Sequence, residues 1–340
     1  MKRNVPSLRR IAVAMVFILA GLALGATDAQ AQFERRDNHA MIKLVKPVAE
    51  SVQGSVCQVY SGDTPVALGT VVAADGYVLT KRSELNGDPI RVRLSDNRLL
   101  PARVAAVRRE SDLALLKIQS DITLKPAEFS GDAPPIASFV VSVGRKSTPI
   151  GIGVIGVKPR KVDHRGRLGV LLEDDSSGRA LVQGVWPDSG AEMAGIKEGD
   201  LIVAINGQQE NSRQGVIDRL RGMFPGESVR LTIQRKNASR GLSTMEMNAS
   251  IRDFGVMQES ESDTKVNGPR NVRLSGFERV MQHDTVLDPD ECGGPLLDTK
   301  GNVVGINIAR AGRVVSYALP SSLILPQMIS MLEEARAAAL

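Results

Sequence analysis

Short β-rich runs separated by turn residues occupy residues 54–118, and they constrain the fold of this 340-residue chain more than any other feature. The run GTVVAADGYVLT is broken at Asp75-Gly76, a dipeptide that favours a tight hairpin turn. Short runs joined by such turns predict a small antiparallel β-barrel. The pattern changes near Leu168, where a different compact unit begins, and β-rich runs resume with RLSGFERVMQHD. The sequence therefore predicts one β-rich unit that is split by another.

The start of the chain has the pattern of a secretory signal peptide. Four basic residues precede an apolar stretch from Ile11 to Ala26 that is short for a membrane span, and Ala29-Gln30-Ala31 offers a small-residue cleavage site. We therefore expect a protein that is exported to the periplasm or cell envelope and has no transmembrane domain after cleavage. The alternative is a segment that stays attached as an N-terminal anchor.

Composition argues against several classes of function. Loss of the signal segment lowers the formal net charge from +5 to +2 and leaves no basic stripe with interleaved aromatic residues, so we expect no nucleic-acid partner. The three histidines have no metal-ligand spacing, and we expect no metal and no cofactor. Cys57 lies in the β-like run SVCQVY and is expected to be a small buried hydrophobe, although it could pair with Cys292 in an oxidising compartment.

Four motifs in chain order resemble the trypsin-like serine proteases of the HtrA/Deg family: GTVVAADGYVLT, SDLALLKI, CGGPLLDTKGNVVGINIA and SYALPSS. The stretch from LGVLLE to NASI resembles a PDZ domain and contains the run PDSGAEMAGIKEGDLIVAING. The resemblance implies a mostly β protein, namely a trypsin-like double antiparallel β-barrel with an inserted PDZ domain of α+β type. In that family the PDZ domain usually follows the protease domain. An insertion is a departure that a barrel tolerates at a loop tip.

The resemblance also implies a division of the chain into five parts. They are a signal peptide (1–31), the first barrel with the start of the second (40–163), the PDZ domain (165–255), a linker (256–271), and the rest of the second barrel with a C-terminal helix (272–340). The linker is rich in Glu, Ser, Asp and Asn. Its expected role is to return the chain from the PDZ domain to the second barrel.

The catalytic positions of the family carry over onto this sequence incompletely. Asp112 in ESDLALLKI matches the aspartate that orients the catalytic histidine, but Ser83 occupies the histidine position. Cys292 stands at the position of the serine nucleophile. Asp290 stands where the family has a glycine whose backbone N–H helps to form the oxyanion hole. The resemblance thus implies a trypsin-like fold with a degenerate triad.

These replacements predict weak or absent peptide hydrolysis. Serine at position 83 cannot accept and return a proton near neutral pH as an imidazole does. The acids Asp288, Asp290 and Glu291 are expected to raise the pKa of the Cys292 thiol by charge repulsion. Asp290 is also expected to strain a turn that needs a positive φ.

The alternative is an active endopeptidase in protein quality control that uses Cys292 as its nucleophile, since a thiol needs less activation than a hydroxyl. That enzyme requires an imidazole or an amine within hydrogen-bond reach of the thiol. His283 is expected to be an ordinary surface or satisfied histidine, and Lys81 as a base for Ser83 is poorly supported by a separation of two residues. Without its histidine, Asp112 is expected to hydrogen-bond a barrel turn.

The PDZ-like segment predicts a peptide-binding site. Such domains add an extended peptide to a sheet edge and hold its terminal carboxylate with backbone N–H groups of a glycine-containing loop. The residues that match this loop and the facing helix are Arg167, Leu168, Gly169, Val170, Ile217 and Leu220. Arg165 or Arg167 could add positive charge, and Trp186 is expected to serve packing. The expected partners are peptide C-termini or unfolded polypeptide, and the sequence leaves homo-oligomerisation open.

Overall fold

The computed structural model describes residues 39–119, 123–131, 133–237 and 241–338, which belong to one compact unit. The predicted signal peptide lies outside these residues. Within them, no helix is both long enough and apolar enough to cross a bilayer.

A helix and a closed barrel of six antiparallel strands form the first part. Their bounds are α1 His39–Ser51, β1 Val56–Ser61, β2 Thr64–Ala73, β3 Tyr77–Lys81, β4 Ile90–Arg93, β5 Leu99–Arg108 and β6 Leu113–Ile118. The order around the barrel is β1-β2-β3-β6-β5-β4. Gly76 has a φ of +90° in the turn between β2 and β3, as the Asp75-Gly76 signal predicts. All five residues of β3 are buried, because Val78 packs in the core of the first barrel while Tyr77 and Leu79 pack in the cluster that contains residues of the second.

Two strands of a second barrel come next, and a smaller unit follows them. The strands are β7 Phe139–Val143 and β8 Pro149–Val162. The smaller unit comprises β9 Gly166–Arg167, β10 Val170–Asp174, β11 Ala180–Val185, α2 Gly190–Met193, β12 Leu201–Ile205, β13 Gln208–Gln209, α3 Arg213–Arg221, β14 Ser228–Asn237, β15 Gly241–Ser250 and β16 Arg252–Asp253. Its main sheet has the order β10-β11-β12-β14-β15, so β10 is an edge strand. Ser212 is the N-cap of α3, since its Oγ accepts a hydrogen bond from Gly215 N at 3.1 Å.

The chain then returns to the second barrel. The remaining elements are α4 Phe254–Met257, α5 Glu261–Asn267, β17 Phe277–His283, β18 Pro295–Leu297, β19 Val303–Gly312, β20 Val315–Pro320 and α6 Ser321–Ala337. The second barrel closes in the order β17-β20-β19-β18-β7-β8, so its strands come from both sides of the smaller unit. This topology confirms the predicted fold class of a mostly β double barrel with an inserted unit. The domain limits to the residue stay predictions.

The two barrels share a hydrophobic core. Leu79 and Leu113 of the first barrel belong to the same buried cluster as Phe277 of the second. Ile324 and Met328 of α6 extend this cluster, so the final helix packs against both barrels. The two barrels and the final helix are therefore held together by a continuous core.

Candidate functional sites

Asp112 is the centre of a buried polar cluster in the first barrel. It follows a turn in which its own N–H bonds Arg109 O at 3.2 Å, and its φ is +58°. Its Oδ1 accepts a hydrogen bond from Ser83 N at 2.9 Å, and its Oδ2 accepts one from Ser83 Oγ at 2.9 Å. Asp112 thus holds the Ser83 segment in place.

Lys81 completes this cluster, although the sequence offers little support for a functional role at this position. Its Nζ lies 2.7 Å from Asp112 Oδ2 and 3.9 Å from Glu84 Oε1, and the Lys81 and Asp112 side chains are both fully buried. A buried ion pair of this kind is stable only when good geometry offsets the loss of solvation. The signal was available, since side chains alternate along β3 and Tyr77 and Leu79 both enter the core. Lys81 is the next residue on that face.

The Cys292 thiol is fully buried and protonated at neutral pH. Burial raises its pKa to about 12, although the Lys81 charge and the Arg310 backbone N–H act in the opposite direction. Glu84 and Glu291 add smaller upward contributions to this pKa. Of the three loop acids expected to raise this pKa by repulsion, Glu291 contributes, and desolvation is the largest cause. Both cysteines are free, so the structure contains no bond between Cys57 and Cys292.

The loop before Cys292 is folded into a short 3-10 helix, Pro289–Glu291. Within it Glu291 N donates to Asp288 O at 3.0 Å, and Cys292 N donates to Pro289 O at 3.3 Å. The Cys292 N–H is one of the donors that an oxyanion hole requires, and here it is already used. Asp290 does not have the expected positive φ, because the loop takes a 3-10 conformation that any L-residue can adopt.

Gly293 has a separate steric requirement. Its φ is +99°, and a Cβ there would stand 2.0 Å from Leu68 O. Leu68 N also donates a hydrogen bond to the carbonyl oxygen of Cys292 at 2.8 Å, so the loop is fastened to β2 of the first barrel. The Cys-Gly-Gly run therefore has a packing role that does not depend on catalysis.

His283 is a satisfied core histidine. Its Nδ1 lies 2.9 Å from Thr285 Oγ1 and its Nε2 lies 3.0 Å from Asn307 Oδ1. Burial lowers its pKa to about 4. Both ring nitrogens are engaged away from Cys292, so His283 does not supply the missing base.

The six residues predicted for peptide binding come together around one cavity of about 290 Å³. The cavity is lined by Gly166, Arg167, Leu168, Gly169, Val170, Leu172, Trp186, Ile217, Leu220, Arg221 and Phe254. Gly169 has a φ of +89°, and a Cβ at this position would lie 2.2 Å from the Cβ of Ser189. Only glycine fits this turn of the loop.

One side of this cavity is the edge strand β10. Leu171 on β10 is 57% exposed, and among the described strands β10 pairs only with β11. Unpaired backbone groups of an edge strand are a template for another strand. We call this strand, the Arg167–Val170 loop and the facing side of α3 the groove.

The end of the groove is aromatic and cationic. Trp186 and Phe254 meet edge to face with ring centroids 5.6 Å apart, and Trp186 is 43% exposed. The expectation that Trp186 serves packing was therefore incomplete, and Phe254 and Arg221 were missed because they are distant in sequence. Arg165 does not line this cavity, although its carbonyl fixes Phe254 by accepting its N–H at 2.8 Å.

The smaller unit also touches the first barrel beside the triad positions. Glu227 accepts two hydrogen bonds from the guanidinium group of Arg109, one from Nε at 2.8 Å and one from Nη2 at 2.7 Å. Its Oε1 also lies 3.1 Å from Arg82 Nη1. A Cβ on Gly226 would lie 3.2 Å from the Cβ of Ser83. The turn after α3 therefore packs directly on the position where the family has its histidine.

The fold is that of a trypsin-like protein that carries a PDZ domain. It has two closed six-stranded barrels, and the smaller unit with the glycine-containing loop is inserted between strands of the second barrel. Comparison with known families agrees: residues 67–191 match the trypsin-like peptidase domain, and residues 153–245 match the PDZ domain. The chain is 34% identical to the periplasmic serine endoprotease DegP of Salmonella typhimurium, over 72% of this chain and 74% of that protein. It therefore belongs to the HtrA/Deg-like family of trypsin-like proteases with PDZ domains.

Other relatives are covered less completely. A probable periplasmic serine endoprotease DegP-like of Marinomonas sp. is 28% identical over 57% of this chain, and the chain spans only 59% of that relative's length. A second DegP-like relative, from Ectopseudomonas mendocina, is 22% identical, with 65% of its length covered. Among solved structures, the MamO protease domain from Magnetospirillum magneticum matches 81% of this chain at 18% identity and a TM-score of 0.38.

Proposed function

We propose that this protein binds extended peptide C-termini or exposed segments of unfolded polypeptide through the groove, and that its barrels do not hydrolyse peptides. The observation that carries the binding proposal is the convergence of the glycine loop, the free edge of β10 and the apolar face of α3 on one open cavity. A peptide strand added to β10 satisfies the unpaired edge, and the loop N–H groups receive a terminal carboxylate.

Charge supports the same ligand. Arg167 and Arg221 line the cavity, and their guanidinium groups favour an anionic peptide terminus. The apolar side chains Ile217 and Leu220 and the aromatic pair offer a pocket for a large apolar last residue. The proposed ligand is thus an extended peptide that ends in an apolar residue with a free carboxylate.

The proposal of catalytic impairment has three supports. No imidazole or amine donates to or accepts from the Cys292 thiol among the hydrogen bonds of the described residues. The thiol has a pKa of about 12. The Cys292 N–H bonds Pro289 O, and loss of one oxyanion donor lowers turnover by roughly 100- to 1000-fold.

We also propose that the protein is exported to the periplasm or cell envelope. The support is the signal-like start of the sequence together with relatives whose names place them in the periplasm.

Trp186 makes the binding proposal measurable, because it is the single tryptophan of the chain and it lines the groove. Intrinsic fluorescence should change on titration with short peptides that have an apolar last residue and a free carboxyl terminus. The same peptides with amidated ends should bind at least about tenfold more weakly, since one charge-assisted contact is lost.

Two variants test whether the groove is the binding site. Ile217→Asp should abolish the change in Trp186 fluorescence on addition of peptide. Leu242→Asp is the matched control, because Leu242 lies on β15 of the same domain and is 61% exposed. Equal binding by both variants would refute the groove as the site.

Catalysis is tested with unfolded casein under reducing conditions, using the chain and a Cys292→Ala variant. We expect no cleavage by either. Cleavage that disappears in the variant would establish a cysteine endopeptidase and leave the groove experiment to be judged by itself.

A further inference from the structure

Asn271 is a buried polar residue in the predicted linker, between α5 and β17. Its side chain is 4% exposed and fully hydrogen-bonded. Asn271 Nδ2 donates to Pro289 O at 3.0 Å and to Glu84 Oε1 at 2.9 Å, while its Oδ1 accepts from Arg310 N at 2.8 Å. One linker side chain thus joins the loop before Cys292, the segment that follows Ser83, and strand β19.

The bond to Arg310 has the character of strand pairing. One edge of β19 faces the Cys292 loop, and Asn307 makes the backbone hydrogen bonds between them. Asn307 O accepts from Gly293 N at 2.7 Å, and Asn307 N donates to Gly294 O at 2.9 Å. Arg310 lies further along the same edge, and Asn271 bonds both of its backbone groups. The side-chain Oδ1 of Asn271 accepts a hydrogen bond from Arg310 N, and the backbone N–H of Asn271 donates to Arg310 O at 3.4 Å. Linker residue 271 therefore occupies an edge position at which an extended polypeptide would pair.

The groups that Asn271 bonds also surround the Cys292 thiol. The pKa of this thiol responds to Lys81, to the Arg310 backbone N–H, to Glu84 and to Glu291. Asn271 contacts two of these four residues directly. We call the space between Ser83 and Glu84 of the first barrel and Cys292 and Arg310 of the second barrel the cleft.

Contacts on both sides hold the linker in the cleft. On one side, Asn267 O accepts from Arg310 Nη2 at 3.3 Å. On the other, the buried guanidinium of Arg273 lies between the rings of Phe224 and Phe277, at 3.9 and 4.8 Å from their centroids. The same guanidinium donates to Glu110 O at 2.7 Å and so reaches the turn before Asp112. Residues 267–273 are therefore anchored to the PDZ domain and to both barrels.

We propose that residues 267–273 are an intramolecular ligand of the cleft, which takes the place of an extended peptide along β19 and seals Cys292 from solvent and from any bound polypeptide. The cleft is then filled by the chain itself, and a peptide partner must use another surface unless this segment leaves.

The test is the rate at which each cysteine is alkylated in the native full-length chain, read peptide by peptide by mass spectrometry. Cys57 is the internal reference, because it is fully buried in the first barrel and its thiol donates to Gly69 O at 3.4 Å. In the unsubstituted chain both cysteines should react at the same slow rate. Asn271→Asp keeps the volume but removes the Nδ2 donors and places a carboxylate beside Glu84. It should raise the Cys292 rate by about tenfold or more and leave the Cys57 rate unchanged.

Ser262→Ala is the control variant, since Ser262 is exposed on α5 of the same linker and should change neither rate. Hydrogen exchange of residues 305–312 gives a second reading, and it should become faster in Asn271→Asp while residues 315–320 stay protected. The proposal is overturned by a Cys292 that already reacts much faster than Cys57 in the unsubstituted chain. An unchanged Cys292 rate in Asn271→Asp, or an equal rise at both cysteines, would equally contradict it.

Discussion

The groove and the cleft each contain a strand edge, and the hydrogen-bonding groups of the two edges differ in whether they are already paired. In the groove, the edge of β10 has no strand beside it among the described residues, and Leu171 and Trp186 are exposed. In the cleft, the edge of β19 is bonded by Asn271, the Cys292 N–H is bonded by Pro289, and Asp112 is bonded by Lys81. A surface can bind a ligand only with groups that are not already satisfied, so this difference agrees with the two proposals that the groove takes a peptide and that the cleft is filled by the chain itself.

The cleft also contains a polar cluster whose members satisfy one another. Asp112 is a buried carboxylate that needs partners for its charge and for its hydrogen bonds. Lys81 supplies the opposite charge and Ser83 supplies two hydrogen bonds. This cluster holds two segments of the first barrel together.

The largest expected effect comes from breaking the buried ion pair of the cleft. Lys81→Met leaves Asp112 buried without its countercharge, and we expect a loss of about 3–5 kcal/mol in the free energy of unfolding. Peptide affinity of the groove should not change, because Lys81 does not line it. Urea unfolding measures the first effect and Trp186 fluorescence titration measures the second.

A double variant shows whether this loss belongs to the pair. Lys81→Met with Asp112→Asn removes both charges, and asparagine tolerates the φ of +58° at position 112. We expect most of the lost stability to return. A double variant as unstable as Lys81→Met alone would mean that Lys81 stabilises the barrel by packing and that the ion pair is incidental.

A smaller effect, on the order of 3 kcal/mol, is expected from His283 in acid. Burial lowers its folded pKa from 6.5 to about 4, so an unfolded chain takes up the proton first as the pH falls. The contribution of His283 to stability is therefore present above pH 6.5 and is lost as the pH falls through about 4. His283→Gln should lack this part of the acid slope when unfolding is followed across that range. Parallel slopes for the two proteins would contradict a buried neutral histidine.

The smallest predicted effect is on the groove alone. Gly169→Ala places a methyl group 2.2 Å from the Cβ of Ser189 in a loop with a φ of +89°, and it should weaken peptide binding by about tenfold or more. Gly178→Ala is the matched control, since Gly178 has a φ of +75° in the same domain and open space around it. It should lower stability slightly and leave the peptide affinity unchanged. Equal losses of affinity would show that strain in the domain, and not the shape of the loop, controls binding.

Local sequence determined the elements and one of the two sites. The Asp75-Gly76 turn and the short β-rich runs each depend on a few neighbouring residues, and the structure has both where they were predicted. The six groove residues were also found, because the loop and the helix face of a PDZ domain are each contiguous segments.

Tertiary structure decided the state of the cleft. Asn271 meets Arg310 and Glu84 across separations that no local pattern records, and Arg273 finds its two aromatic rings in different domains. The burial of Cys292 is likewise a property of the packed barrels and the linker, and it outweighs the nearby acids that the sequence displays. Short-range patterns fix backbone conformation, whereas desolvation and long-range pairing depend on which segments the fold brings together, and those set the chemistry of this thiol.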